Sequence, residues 1–319
     1  MATSGPTLAG VQSGLSELRK RLFFVLFALL VYRIGTHIPV PGINPDQLKA
    51  LFESNQGGIL DLFNMFSGGA LERMSILALG VMPYITSSII MNLLSMTYPA
   101  LNQLRKEGEA GRRKITQYTR YGTVVIGLVQ GTALTGTLAA QGLAFAPGVA
   151  FYFVSVTTLL TGALFMMWLG EQITERGVGN GVSLLIFAGI VSGFPAAVGQ
   201  SFEAARQGDI NIVALLGIAI FAAVIVGFVV FIERGQRRIA VNYAKRQQGR
   251  RMVQAQSSHL PLKVNMAGVI PAIFASSLLL APSSMATWFG QGEGLSWLQE
   301  VSLILSPGQP LYILLFAAG

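Results

Sequence analysis

The sequence predicts an all-α polytopic membrane protein, and three observations carry that prediction. Of the 319 residues 52% are hydrophobic and only 11% charged, where soluble domains hold about 25% charged residues. Several windows supply the ~20 mostly apolar residues that a spanning helix needs. The alternating pattern of membrane barrel strands is absent, so backbone polar groups in lipid must be satisfied inside helices.

Taken in order, Leu22–Val40, Leu77–Met96, Tyr121–Ala140, Val149–Gly170, Val182–Phe202, Ile210–Ile232 and Val264–Phe289 read as seven spans, and an eighth starts at Pro310. Arg33 interrupts the first. That run leads into Pro39-Val40-Pro41-Gly42, a rigid turn without a small-residue cleavage site, so it reads as a span rather than a removable signal. Cysteine is absent, which excludes disulfides, thiolate metal sites and cysteine nucleophiles.

The net charge of +8 is unevenly spread. Eighteen of the 22 Lys and Arg lie at the N-terminus and in the loops after spans 2, 4 and 6, all on one side. The other side holds Arg33, Lys49, Arg73 and Arg206. By the positive-inside rule the N-terminus is cytoplasmic.

The segments "GVMPYITSS" (80–88) and "GVIPAIFAS" (268–276) match at five of nine positions, yet their spans run in opposite directions. Similar segments of opposite orientation mark an inverted repeat, with the functional region at the interface of the halves. The first half is 1–205, spans 1–5. The second, 206–319, holds spans 6 and 7, the start of span 8 and a long cytoplasmic loop, 233–263. A 5+5 repeat calls for ten helices, of which about seven and a half are present, so the sequence reads as C-terminally truncated.

Asp, Glu, Lys, Arg and His are missing from the middle of every span; Arg33, Glu171 and Glu233 lie near span ends, where long side chains reach the interface. This disfavours ion coupling, and with it the alternative of a substrate-coupled secondary transporter. A membrane-bound scaffold that presents basic loops is a further rival. The only histidines, His37 and His259, fall on opposite sides, which excludes a histidine metal site and a Ser–His dyad. "GVGNG" at 177–181 reads as a tight turn, and no Walker lysine motif exists. No enzyme activity, cofactor or metal is expected, and any ATP is consumed by a partner.

Neutral polar residues within the spans, Asn92 and Gln130 among them, suit hydrogen bonds between helices at small-residue contacts. Gly80-x-x-Pro83 and Gly268-x-x-Pro271 would let two helices bend where the halves meet. The branched residues around them, including Val81, Ile85 and Ile273, would form a dry constriction if they faced a shared interior. They could equally face lipid, and periodicity does not decide. Before span 2, "LDLFNMFSGGALERMSI" (60–76) is too polar to cross a bilayer and too apolar for an ordinary loop, and Ser67-Gly68-Gly69 would break a helix.

Two cytoplasmic loops are strongly basic. Arg105–Arg120 holds six basic and two acidic residues, Glu233–Arg251 seven and one. Such charge can be topogenic alone. The length of the second loop also suits docking of an acidic partner, RNA phosphate or acidic protein.

At "FNMFSGGAL", "GVMPYI", "KEGEAGRRKITQYTRYGT", "MWLGEQITERGVGNGVS", "IERGQRRIAVNYAKRQQGRR" and "HLPLKVNMAGVIPAIFASS" the chain resembles the SecY family, large subunits of the bacterial Sec protein-conducting channel. The likeness covers all 319 residues and implies the ten-helix inverted-repeat SecY fold in the cytoplasmic (inner) membrane. It implies a passive conduit for unfolded secretory proteins, with lateral release of membrane proteins into lipid. Val81, Ile85, Val182, Ile186 and Ile273 match the pore ring. The segment matching 63–75, led by Phe63, Asn64, Met65, Phe66, Ser67, Gly68 and Gly69, is the plug, a short helix that closes the resting channel. Asn92, Gln130 and Asn265 resemble polar lateral-gate positions. Arg105, Lys106, Arg112, Arg113, Lys114, Arg237, Arg238, Lys245, Arg246, Arg250 and Arg251 match loops that dock the ribosome or the SecA motor. Further implied partners are SecE, SecG, signal sequences, nascent chains and membrane lipids.

Overall fold

The computed structural model describes residues 8–44, 47–48, 64–65, 67–208, 211–242, 247–248, 251–252, 257–265, 275, 304 and 309–318. It divides into two compact units, 1–195 with 277–317, and 196–276 with 318–319.

In the first unit, α1 (Leu8–Gly35) presents Val25, Ala28 and Tyr32 to the core. Their i, i+3, i+7 spacing puts them on one face, and Phe23, Leu26, Phe27 and Leu30 stay exposed on the other. The helix stops at Gly35, where a Cβ would stand 2.5 Å from Leu77 Cδ1. The chain then turns and pairs briefly with the segment before the next helix. Val40 N donates to Met74 O at 2.8 Å and Ile76 N to Ile38 O at 2.9 Å. A second bridge joins Ile43 to Ala144.

The expected second span starts later than its apolar run. Residues 68–81 form consecutive turns, and helix α2 runs Met82–Thr97. Positive φ at Gly68, Gly69, Met74 and Gly80 interrupts any continuous helix. Pro83 in the first turn of α2 needs no backbone donor there. A short α3 (Pro99–Lys106) leads to α4 (Glu109–Ala140), followed by α5 (Val149–Arg176) and α6 (Gly181–Gln207).

Small residues let these helices approach closely. On α4 the buried set Thr119, Thr123, Gly127, Gly131 and Thr135 recurs every four residues, along one stripe. Ser87 of α2 donates to the Thr119 carbonyl at 2.7 Å, and a Cβ on Gly122 would meet that hydroxyl at 2.3 Å. Gly131 faces Val156 and Leu159 of α5. The α5–α6 connection is the tight turn read from "GVGNG": Gly179 has φ +76°, and Asn180 Oδ1 accepts from Val182 N and Ser183 N at 3.0 and 3.3 Å, capping α6.

In the second unit, α7 (Ile212–Arg234) is capped by Asn211, whose side chain accepts from Val213 N. It buries no residue against protein, as suits a lipid-exposed helix. Among the described residues four helices, α4 to α7, are long and apolar enough to cross a membrane. The repeat segment 268–276 and nearly all of the expected seventh span lie outside the described residues. A last helix, α8 (Pro310–Ala318), coincides with the start of the eighth span.

The long basic loop is an antiparallel ribbon, which the sequence reading did not anticipate. Strand β1 (Gln236–Asn242) pairs with β4 (Ser257–Lys263), and β2 (Gln247–Gln248) with β3 (Arg251–Met252). Both pairs share one register, since Gln236 faces Lys263 and Gln248 faces Arg251.

Candidate functional site

Four of the five aliphatic residues that match the family's pore ring belong to one apolar cluster. Val81 caps α2 and is buried; Ile85 lies one turn on, half-buried. Val182 and Ile186 occupy the first two turns of α6, also half-buried. All four pack with Val25, Tyr32, Leu77, Met166, Ile173 and Leu185. Branched apolar side chains of this kind offer no hydrogen bond to a passing molecule. Ile273 lies outside the described residues.

The 64–75 segment leans on this cluster. Tyr32 OH donates to Ser67 O at 2.9 Å, and Arg33 Nη1 to Gly68 O at 3.1 Å. Gly68 sits where a Cβ would meet Tyr32 OH at 2.8 Å and Gly189 Cα of α6 at 3.0 Å, so no other residue fits without displacement. Asn64 organises the segment from within. Its carbonyl accepts from Gly69 N at 2.9 Å, its Oδ1 from Glu72 N at 3.0 Å, and its Nδ2 donates to Glu72 Oε2 at 3.2 Å. The resemblance implied a short helix here; the described residues are helical at Asn64, Met65 and Ser67 and then turn. Phe63 and Phe66 lie outside the described residues.

Each of the polar positions has surroundings of its own. Asn92, exposed on α2, lines a cavity of about 620 Å³ with Tyr84, Ser88, Arg105, Arg112 and Thr116. Gln130 is half-buried on α4, eleven residues beyond Thr119 and so roughly 16 Å along the axis at 1.5 Å per residue. Asn265, in the second unit, donates to Glu233 Oε1 at 2.8 Å.

The basic residues fall into two groups. Arg105 and Lys106 end α3, and Arg112, Arg113 and Lys114 lie in the first two turns of α4, all exposed. Arg237 and Arg238 are neighbours on β1, so they project to opposite faces of the ribbon. Pairing places Arg237, Ile239 and Val241 on one face with Leu262, Leu260 and Ser258. Arg238 shares the other face with Pro261, His259 and Lys263. Arg251 lies in β3; Lys245, Arg246 and Arg250 lie outside the described residues.

Sequence reasoning missed two features. One is the ion pair of Arg120 with Glu171, two hydrogen bonds of 3.0 and 2.7 Å between α4 and α5. The other is the set of bonds from Tyr32, Arg33 and His37 to the turn segment. A lone Arg33 in an apolar run was the visible signal for the second, because a charge in lipid needs a partner.

The SecY family model matches residues 75–319. The chain is 68% identical to the protein translocase subunit SecY of Pseudomonas aeruginosa, over all of this chain and 72% of that protein. It is 58% identical to the Escherichia coli subunit of the same name, over 99% of this chain and 72% of the relative. Among solved structures, a chain described as "The structure of a protein conducting channel" is similar with TM-score 0.64 and 18% identity. That match covers 86% of this chain and 59% of the other. "Sec61 in the Canine ribosome-channel complex from the endoplasmic reticulum" is similar with TM-score 0.63 and 17% identity, over 86% of this chain and 60% of that one. These two likenesses are likenesses of fold.

Proposed function

The chain belongs to the SecY family, and on that premise we propose that it supplies the neck of a membrane channel that conducts unfolded polypeptides. The observation that carries the reading is the convergence of Val81, Ile85, Val182 and Ile186 in one apolar cluster, with the 64–75 segment folded against α1 and α6 beside it. Aliphatic groups close by packing and release a polypeptide without breaking specific bonds, so the neck is unselective towards sequence and tight towards ions. Ile273 completes the ring, and 63–75 serves as the plug.

No ionisable group drives transport within this neck, so directed movement comes from a partner. The exposed basic groups on α3, α4 and the ribbon suit RNA phosphate or an acidic protein, as the ribosome and SecA would present. SecE and SecG complete the complex, and signal sequences enter beside Asn92, Gln130 and Asn265. The charge distribution supports a cytoplasmic N-terminus, with the protein in a bacterial inner membrane.

The test is site-specific crosslinking from positions 81 and 85 in the full-length complex while a precursor is stalled in transit. Adducts to the precursor are expected at both. Adducts to lipid alone would overturn the conduit.

A further inference from the structure

An imidazole joins the end of α1 to the turn segment. His37 Nδ1 lies 2.8 Å from the Arg33 carbonyl oxygen, and its Nε2 lies 2.8 Å from Arg73 Nη1. A carbonyl only accepts and a guanidinium only donates. Both contacts are hydrogen bonds only when Nδ1 carries the ring's single proton and Nε2 is bare. The geometry thus needs a neutral ring in one tautomer.

Among the described residues the surroundings give a second proton no acceptor other than solvent, to which His37 is exposed. Arg73 faces the ring from the turn segment. Arg33, four residues back on the ring's own element, sends Nη1 to Gly68 O instead. Glu72, beside Arg73, is engaged by Asn64 Nδ2 at 3.2 Å. Thr36 Oγ1 sits 3.2 Å from Nδ1 and donates to the Arg33 carbonyl at 2.7 Å. Among the described residues no carboxylate bonds the ring.

We propose that His37 is a positioning residue whose protonation releases Arg73 and loosens the 64–75 segment. This rests on the reading of that segment as the plug. A proton on Nε2 removes the acceptor that Arg73 uses and sets two cations 2.8 Å apart. The bond to the Arg33 carbonyl survives, so the ring stays and Arg73 leaves. The segment is therefore held at alkaline pH and freed as pH falls.

The test uses the full-length complex in lipid, with Ser67→Cys as its only cysteine. Ser67 is 6% exposed, so a thiol there is labelled only when the segment moves. Labelling rates are normalised to a small-molecule thiol at each pH, and ion leak is recorded on the same preparations. With His37 in place, normalised labelling should rise roughly tenfold between about pH 8 and 5.5. His37→Gln keeps an oxygen for Arg73 and takes no proton, so labelling should stay slow throughout. His37→Phe should be fast at every pH. A flat response with His37, or a pH response that survives in His37→Gln, overturns the proposal. A labelling response without any change in leak upholds the latch and overturns the plug reading instead.

Discussion

Arg120 grips Glu171 with two hydrogen bonds, Nε to Oε1 at 3.0 Å and Nη2 to Oε2 at 2.7 Å, tying α4 to α5 where both leave the apolar part of their helices. The carboxylate is 17% exposed and the guanidinium 49%, so solvent screens the pair in part. Arg120→Met should destabilise the complex by about 1 kcal/mol, between the values for exposed and buried pairs. Thermal unfolding of both single variants and the Arg120→Met, Glu171→Met double variant checks it: the double should lose less than the sum.

Two glycines of long helices should respond oppositely to one methyl group. A Cβ on Gly162 would stand 1.8 Å from the Ile76 carbonyl oxygen, which is backbone and cannot swing away. Gly162→Ala should cost about 3 kcal/mol or more. At Gly136 a Cβ meets nothing within 4 Å, and Gly136→Ala should lie within about 0.5 kcal/mol of the parent. Melting temperatures and yield of folded complex read both.

Replacing Ile85 and Ile186 together with Gly should raise ion leak through reconstituted full-length channels, because two aliphatic walls of the cluster are removed. Single-channel conductance reads this directly. Unchanged conductance would remove these side chains from the neck.

Arg237→Glu with Arg250→Glu should weaken binding to ribosomes and reduce the slope of log affinity against log salt by about 2, one for each phosphate no longer neutralised. Binding titrations across salt concentrations measure it. An unchanged slope would mean that these groups touch no phosphate.

Legibility followed the kind of signal each element carries. Long apolar runs marked α4 to α7, and Gly177–Gly181 marked the turn between α5 and α6, because lipid and left-handed glycines constrain sequence strongly. The start of α2 was misjudged by five residues: Leu77 to Val81 are as apolar as the helix after them, but they turn about Gly80, with Leu77 and Val81 in the neck cluster and Ala78 in the other core cluster. The ribbon was missed because charge hid a short alternation. Ile239 and Val241, answered by Leu260 and Leu262, are too few to outweigh the surrounding Arg and Lys. Membership of Val81, Ile85, Val182 and Ile186 in one cluster depends on how α1, α2, α5 and α6 pack together, which no local pattern states.

The bonds around Asn64 have a consequence for reversibility. Contacts of Asn64 with Gly69 and Glu72, and of Ser67 Oγ with Leu71 N at 3.3 Å, close within the segment itself. Among the described residues the hydrogen bonds that reach outward come from Tyr32, Arg33, His37, Val40 and the Pro39 bridge, beside the apolar packing of Leu71 and Met74. A body wired this way can be pushed aside whole and swing back in its original shape. Its return would then be a matter of docking rather than of folding anew.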